Sequence, residues 1–223
     1  MTGSKLERWI GIVAVLNIAA IAILWGRPSF SNASRAVRGV TNPVLAIEVA
    51  RNVAEIDAIL SDAPSPDREV MRIKEYTGFA FLGCYAGLFV LLSMTLKRRE
   101  IAITGVLAAI CGAIANFTIL RLIDVDLNHT TQGMIDAIRY PSLLSWALAS
   151  ISLGVLAILL LRTPRKALRI VGALALLVAL LGLLGLADNR ILAWSGLFTL
   201  GWFLGLAILY FRPDPLWRTN RRA

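Results

Sequence analysis

Along the chain, long stretches nearly free of polar residues alternate with short stretches dense in charge. Six apolar stretches stand out, near 9–25, 76–96, 101–120, 140–161, 170–187 and 191–211. A helix rises about 1.5 Å per residue, so crossing roughly 30 Å of hydrocarbon takes about 20 residues, close to the length of each stretch. The stretches are continuously apolar, whereas strands of a membrane barrel alternate with a period of two. The pattern predicts an all-α, polytopic membrane helical bundle of about six transmembrane helices, a single integral membrane domain over 1–223. Trp9 and Trp25 bracket the first stretch at the level of an interfacial belt.

The long connection between the first two spans carries its own helix signals. Asn42 before Pro43 fits an N-cap followed by the first helical residue. Leu45, Val49, Val53, Ile56 and Leu60 then fall on one helical face, with Glu48, Arg51, Glu55 and Asp62 on the other. Residues 63–66 break this helix, and Ser65, Pro66, Asp67 and Glu69 start a second one that continues into the 76–96 span. A helical hairpin over 41–75 is expected. Its apolar face must be covered, either by the bundle's own span ends or by a partner, for which Leu45, Val49, Val53, Ile56 and Leu60 are the candidate docking face.

Composition supports the membrane reading: 57% of the 223 residues are hydrophobic and the mean hydropathy is +0.71, beyond ordinary soluble domains. The net charge of +9 could suggest nucleic acid, but its distribution has a simpler cause. Thirteen Lys and Arg face three acids on the side of both termini, while ten face eleven acids on the other. Cytoplasmic segments carry the basic excess, which predicts both termini in the cytoplasm and the hairpin extracytoplasmic, with no nucleic-acid partner. The bacterial inner (plasma) membrane is the expected location, and the lipid bilayer the expected partner. The first stretch exceeds the roughly 7 to 15 apolar residues of a signal peptide and is read as a span. Cys84 and Cys111 both lie in apolar stretches, so no disulfide framework is expected.

Candidate chemistry is sparse. Transporter interiors usually carry ionisable residues within spans, and the span centres here have none. Asn17, Thr104, Asn116, Thr199 and the serines of the fourth span read as hydrogen-bonding links between helices. Small residues recur at contact spacing, Ala108 with Gly112 and Ser150 with Gly154. Gly83 with Gly87 and Gly201 with Gly205 do the same, for internal packing or for seams with other membrane subunits. No HExxH, GxSxG, Walker or GxGxxG pattern occurs, and His129 is the one histidine. Asp124-Val-Asp126-Leu-Asn128 resembles the opening of an EF-hand loop, but His129 replaces the required glycine and Ile135 the bidentate glutamate. No metal or cofactor is expected.

The remaining constellation is a rim of Glu75, Tyr76, Arg121, Asp124, Asp126, His129, Asp188 and Arg190 near span ends on the hairpin side. It reads as an ion-pair network orienting the hairpin, with Arg121 and Asp124 paired at i, i+3, or as the polar mouth of a ligand site. The leading expectation is a non-enzymatic membrane protein acting through helix packing and its hairpin, an accessory or assembly subunit of a larger complex. The alternative is a carrier or binding protein for a lipid or other apolar molecule, with its mouth at the outer rim.

Overall fold

The computed structural model describes residues 3–30, 37–60, 65–125 and 127–211. Six of its helices are long and apolar enough to cross a membrane: α1 (Gly3–Trp25), α4 (Ser65–Leu96), α5 (Arg99–Asp124), α6 (Gln132–Leu161), α7 (Lys166–Gly185) and α8 (Asn189–Phe211). Two short helices, α2 (Pro43–Val49) and α3 (Val53–Leu60), lie between α1 and α4. A 3₁₀ turn, Leu127–His129, joins α5 to α6.

Short connections make α4 to α8 successive antiparallel neighbours, α1 packs on α4 across the long hairpin connection, and α8 closes on α1 to complete a ring of six. The α1–α8 seam runs from Gly11, beside Tyr210 and Phe211, to Gly196, beside Trp25. The start of α1 and the end of α8 therefore lie at one end of the ring, here the terminal end, and α2 and α3 lie at the other, the hairpin end. Small residues allow the closest approaches inside the ring, Gly105 against Phe89, Gly172 against Leu160 and Gly182 against Ser150. Of the glycine pairs expected in seams, Gly205 meets Val171, but Gly83, Gly87 and Gly201 have nothing within 4 Å of a modest side chain. Those three face out of the ring, because the buried side of α4 is taken by Tyr85, Leu88, Phe89 and Leu92 and that of α8 by Trp202 and Phe203.

The hairpin differs from the single apolar helix expected over 42–62. Asn42 does cap α2, its Oδ1 accepting from Val44 N at 3.0 Å with Pro43 in the first turn. The helix stops at Val49, and Asn52 caps a new one, accepting from Glu55 N at 2.9 Å. Two competing caps ten residues apart split what apolar periodicity alone reads as continuous. The second limb runs without a break into its span, as expected: α4 has 32 residues, about 48 Å at the helical rise.

The candidate docking face is occupied by the chain itself. Ile56 (0% exposed) and Leu60 pack on Met71, Ile119, Ile123 and Ile138, while Val49 packs with Val37, Val40 and Leu192. Leu45 and Val53 are half-buried around the same clusters. A tight turn, Val37–Val40, holds this assembly to α8: it is closed by reciprocal backbone bonds of 3.0 and 2.9 Å, with Arg38 and Gly39 both at positive φ. Arg38 pairs with Glu55 at 2.9 Å, and the Arg190 side chain lies where a Cβ on Gly39 would stand.

Basic side chains of α4 terminate three other helices. Arg68 donates to Leu60 O of α3 and Ile123 O of α5, at 3.1 and 2.9 Å. Lys74 donates to Ile23 O, Leu24 O and Gly26 O at 2.8 to 3.3 Å, satisfying carbonyls that the end of α1 leaves without donors.

Candidate functional site

The ring is not filled along its whole length. In the terminal half, Phe81, Tyr85, Phe89, Trp202 and Phe203 stack through successive ring contacts of 4.5 to 6.3 Å and plug the interior. Above this plug, toward the hairpin end, lies a cavity of about 400 Å³ walled by all six long helices and roofed by α2. This volume falls in the range of small-molecule sites.

Most of the wall is apolar, including Ile21 of α1, Leu82 of α4, Ala115 of α5, Leu153 of α6 and Val178 of α7. Glycines and alanines create the space: Gly78, Ala108, Gly112, Ala149, Gly182 and Gly196 all border it. Polar groups gather at the roof. Glu48 projects from α2, and Trp146 Nε1 of α6 donates to its Oε2 at 3.0 Å. Burial among apolar neighbours pushes the Glu48 carboxyl up to about 7, against the opposing pull of the indole N–H. Glu75, on α4, is 1% exposed, borders the same cavity and lies within electrostatic reach of Glu48.

Three buried polar atoms bordering the cavity have no hydrogen-bond partner among the described residues: Glu75 Oε1, Ser142 Oγ and Tyr85 OH. Buried polar atoms are nearly always paired, so three orphans on one cavity are a demand for an occupant that hydrogen-bonds. Asn116 Nδ2 reaches the Glu75 carbonyl at 3.4 Å, and Ser145 Oγ donates to Ala108 O at 2.8 Å. Those two bonds are the interhelical links expected from the sequence, made by residues that also line the cavity.

The predicted rim disperses. Only Glu75 enters the cavity. Tyr76, its neighbour, points outward at 61% exposure, in a belt with Trp25, Tyr140 and Trp194. Arg121 does not pair with Asp124; its guanidinium lies over the Phe117 ring at 4.6 Å, and Asp124 instead pairs with Arg72, which also binds Glu69. Residue 121 sits on the exposed side of α5 while the acidic partner is drawn across to α4, so the spacing i, i+3 was overridden by a tertiary ion pair. Asp188 accepts from Arg190 N at 3.1 Å at the start of α8, and His129 is exposed in its 3₁₀ turn. Asp126 lies outside the described residues. Among the described residues no cluster of His, Cys, Asp and Glu is arranged to hold a metal ion.

Glu48 was placed by periodicity on the solvent face of the hairpin, and the structure turns it inward. Helix α2 crosses the mouth of the ring between α4 and α6, so both of its flanks meet protein. A signal was present, since Glu48 is the one charge in the run from Pro43 to Ala50.

Comparison with known proteins supplies no analogy. No family model, curated protein or solved structure matches the chain.

Proposed function

We propose that this chain is a membrane-embedded binding protein or carrier for a small amphipathic molecule, a lipid or a comparable compound with an apolar body, held in the cavity of the six-helix ring. The observation that carries the reading is the cavity itself: apolar walls at the depth of the spans, orphaned polar atoms on its lining, and two carboxyls at the α2 end. An apolar body would occupy the region between Ile21, Leu82 and Val178, with its polar end under α2.

The basic excess on the terminal side orients the protein with both termini in the cytoplasm and the roof toward the opposite face. The belt of Trp25, Tyr76, Tyr140 and Trp194 then marks the extracytoplasmic interface, and the cavity reaches from that level into the outer leaflet. Trp25 borders the cavity yet is 47% exposed, and it lies against Gly196 across the α1–α8 seam. That seam is the natural route between cavity and lipid.

Native mass spectrometry of protein extracted in mild detergent tests the reading. It expects a bound small molecule in the wild type and its loss from Ala149→Phe, which fills the cavity from α6. Wild-type protein that is free of any adduct, and takes none up from added lipid extract, would count against it.

A second reading, as an accessory or assembly subunit, draws on the outward-facing Gly83 and Gly87, four residues apart on α4. It predicts a defined protein partner in mild detergent that is lost from Gly87→Leu.

A further inference from the structure

Charge in the cavity is unbalanced. Its titratable and charged groups come from two elements, Glu48 from α2 and Lys74, Glu75 and Tyr85 from α4. The linings contributed by α1, α5, α6, α7 and α8 are apolar, hydroxyl, amide or indole. The one cation among these groups is committed elsewhere: the Lys74 ammonium is ringed by the Ile23, Leu24 and Gly26 carbonyls and lies 5.7 Å from the centre of the Phe30 ring. It neutralises the end of α1, and neither carboxyl is paired to it. Glu48 receives one indole N–H, and Glu75 Oε1 receives nothing.

Glu48 and Glu75 border one largely apolar cavity with a single indole N–H between them, and negative charge there lacks a counter-charge. Either a proton or a ligand cation must supply it. We infer that the amphipathic occupant carries a protonated amine, whose ammonium sits between Glu48 and Glu75. This rests on the reading of the cavity as a ligand site and names the chemistry of its polar end.

An ammonium brings N–H donors to an acceptor-rich roof, where Glu75 Oε1 has no other donor. The exchange balances. A carboxylic acid and the incoming monocation become an ammonium–carboxylate pair, and the proton of that acid leaves to solvent. Ser142 Oγ and Tyr85 OH can act as donor or acceptor and do not discriminate against a neutral head. Discrimination falls to the two carboxyls.

The test compares 4-phenylbutylamine, protonated near neutral pH, with 4-phenylbutan-1-ol, which has the same skeleton and a neutral head. Binding is measured by equilibrium dialysis on the full chain in nanodiscs, with protein-free discs as background. The inference expects the amine to bind at least tenfold more tightly than the alcohol at pH 7, with release of about one proton per amine in weakly buffered solution. Its affinity should fall as the pH is lowered to 5, where protons compete. Glu48→Gln and Glu75→Gln, both close in shape to the wild type, should lose the amine preference. Equal affinity for amine and alcohol, or a preference that survives the double glutamine variant, would overturn the inference and leave the cavity as a site for neutral molecules. Binding of neither compound above protein-free discs would overturn the ligand-site reading and this inference with it.

Discussion

Trp146 of α6 donates its indole N–H to Glu48 of α2 at 3.0 Å, joining residues 98 positions apart and tying the hairpin to the wall of the cavity it covers. This bond makes α2 a fixed roof and gives the roof its charge. With the Gly39–Arg190 contact and the Ile56 cluster, it explains why a hairpin of two short helices holds one position on the ring.

Stability should report the Glu48 carboxyl. Its folded-state pKa, about 7, lies above the ordinary 4.5, so the folded protein holds this proton more tightly than the unfolded chain. Stability from this group is full below about 4.5 and is lost as the pH rises through 7. Thermal melts between pH 4.5 and 8 should therefore show a steeper decline in the wild type than in Glu48→Gln. Parallel pH curves for the two proteins would contradict the buried, raised carboxyl.

The hairpin's apolar face should behave as core. Ile56→Asp places a carboxylate among Met71, Ile119 and Ile138, where an unpaired charge costs several kcal/mol or is relieved by local undocking. Limited proteolysis should cut the hairpin of this variant much faster than that of the wild type. Unchanged resistance would mean that α3 does not seal the ring.

Much of the fold was legible in the sequence because the bilayer imposes a length on apolar stretches, and all six that meet that length are helices here. The Asn42–Pro43 start of the hairpin was equally legible, since capping depends on adjacent residues. What sequence could not give was the inward turn of Glu48, which depends on α2 crossing between helices that begin and end far along the chain. Arg121 illustrates the same limit: its neighbour Asp124 was available at helical spacing, and a long-range contact to Arg72 took it. Glu75 was named as a rim residue, but that it sits inside a cavity follows from ring closure by α8, which no local pattern encodes.

Orientation should follow the charge. Reporters fused after Leu96, after Arg165 and at the C-terminus should report cytoplasm, and those at Ser65, Asn128 and Asn189 the opposite side. A cytoplasmic signal from Ser65 would invert the cavity, placing its roof toward the inner leaflet.

Widening the α1–α8 seam should speed exchange without removing the site. Trp25→Ala takes away the side chain that lies against Gly196, and dissociation of a bound amphiphile should accelerate several-fold. Gly196→Val should accelerate it as well, since a Cβ there would stand 2.7 Å from the Trp25 ring and must push it aside. Unaltered rates in both variants would move the route to another seam.

The most direct measurement is the density inside the ring, from cryo-electron microscopy of the chain in nanodiscs with a rigid fiducial bound at its terminal end. The account predicts an elongated feature between Tyr85 and α2, its polar end within hydrogen-bonding distance of Glu48 and Glu75. A ring whose side chains close the space between Leu82, Ala149 and Val178, or one holding water alone in native lipid, would contradict it.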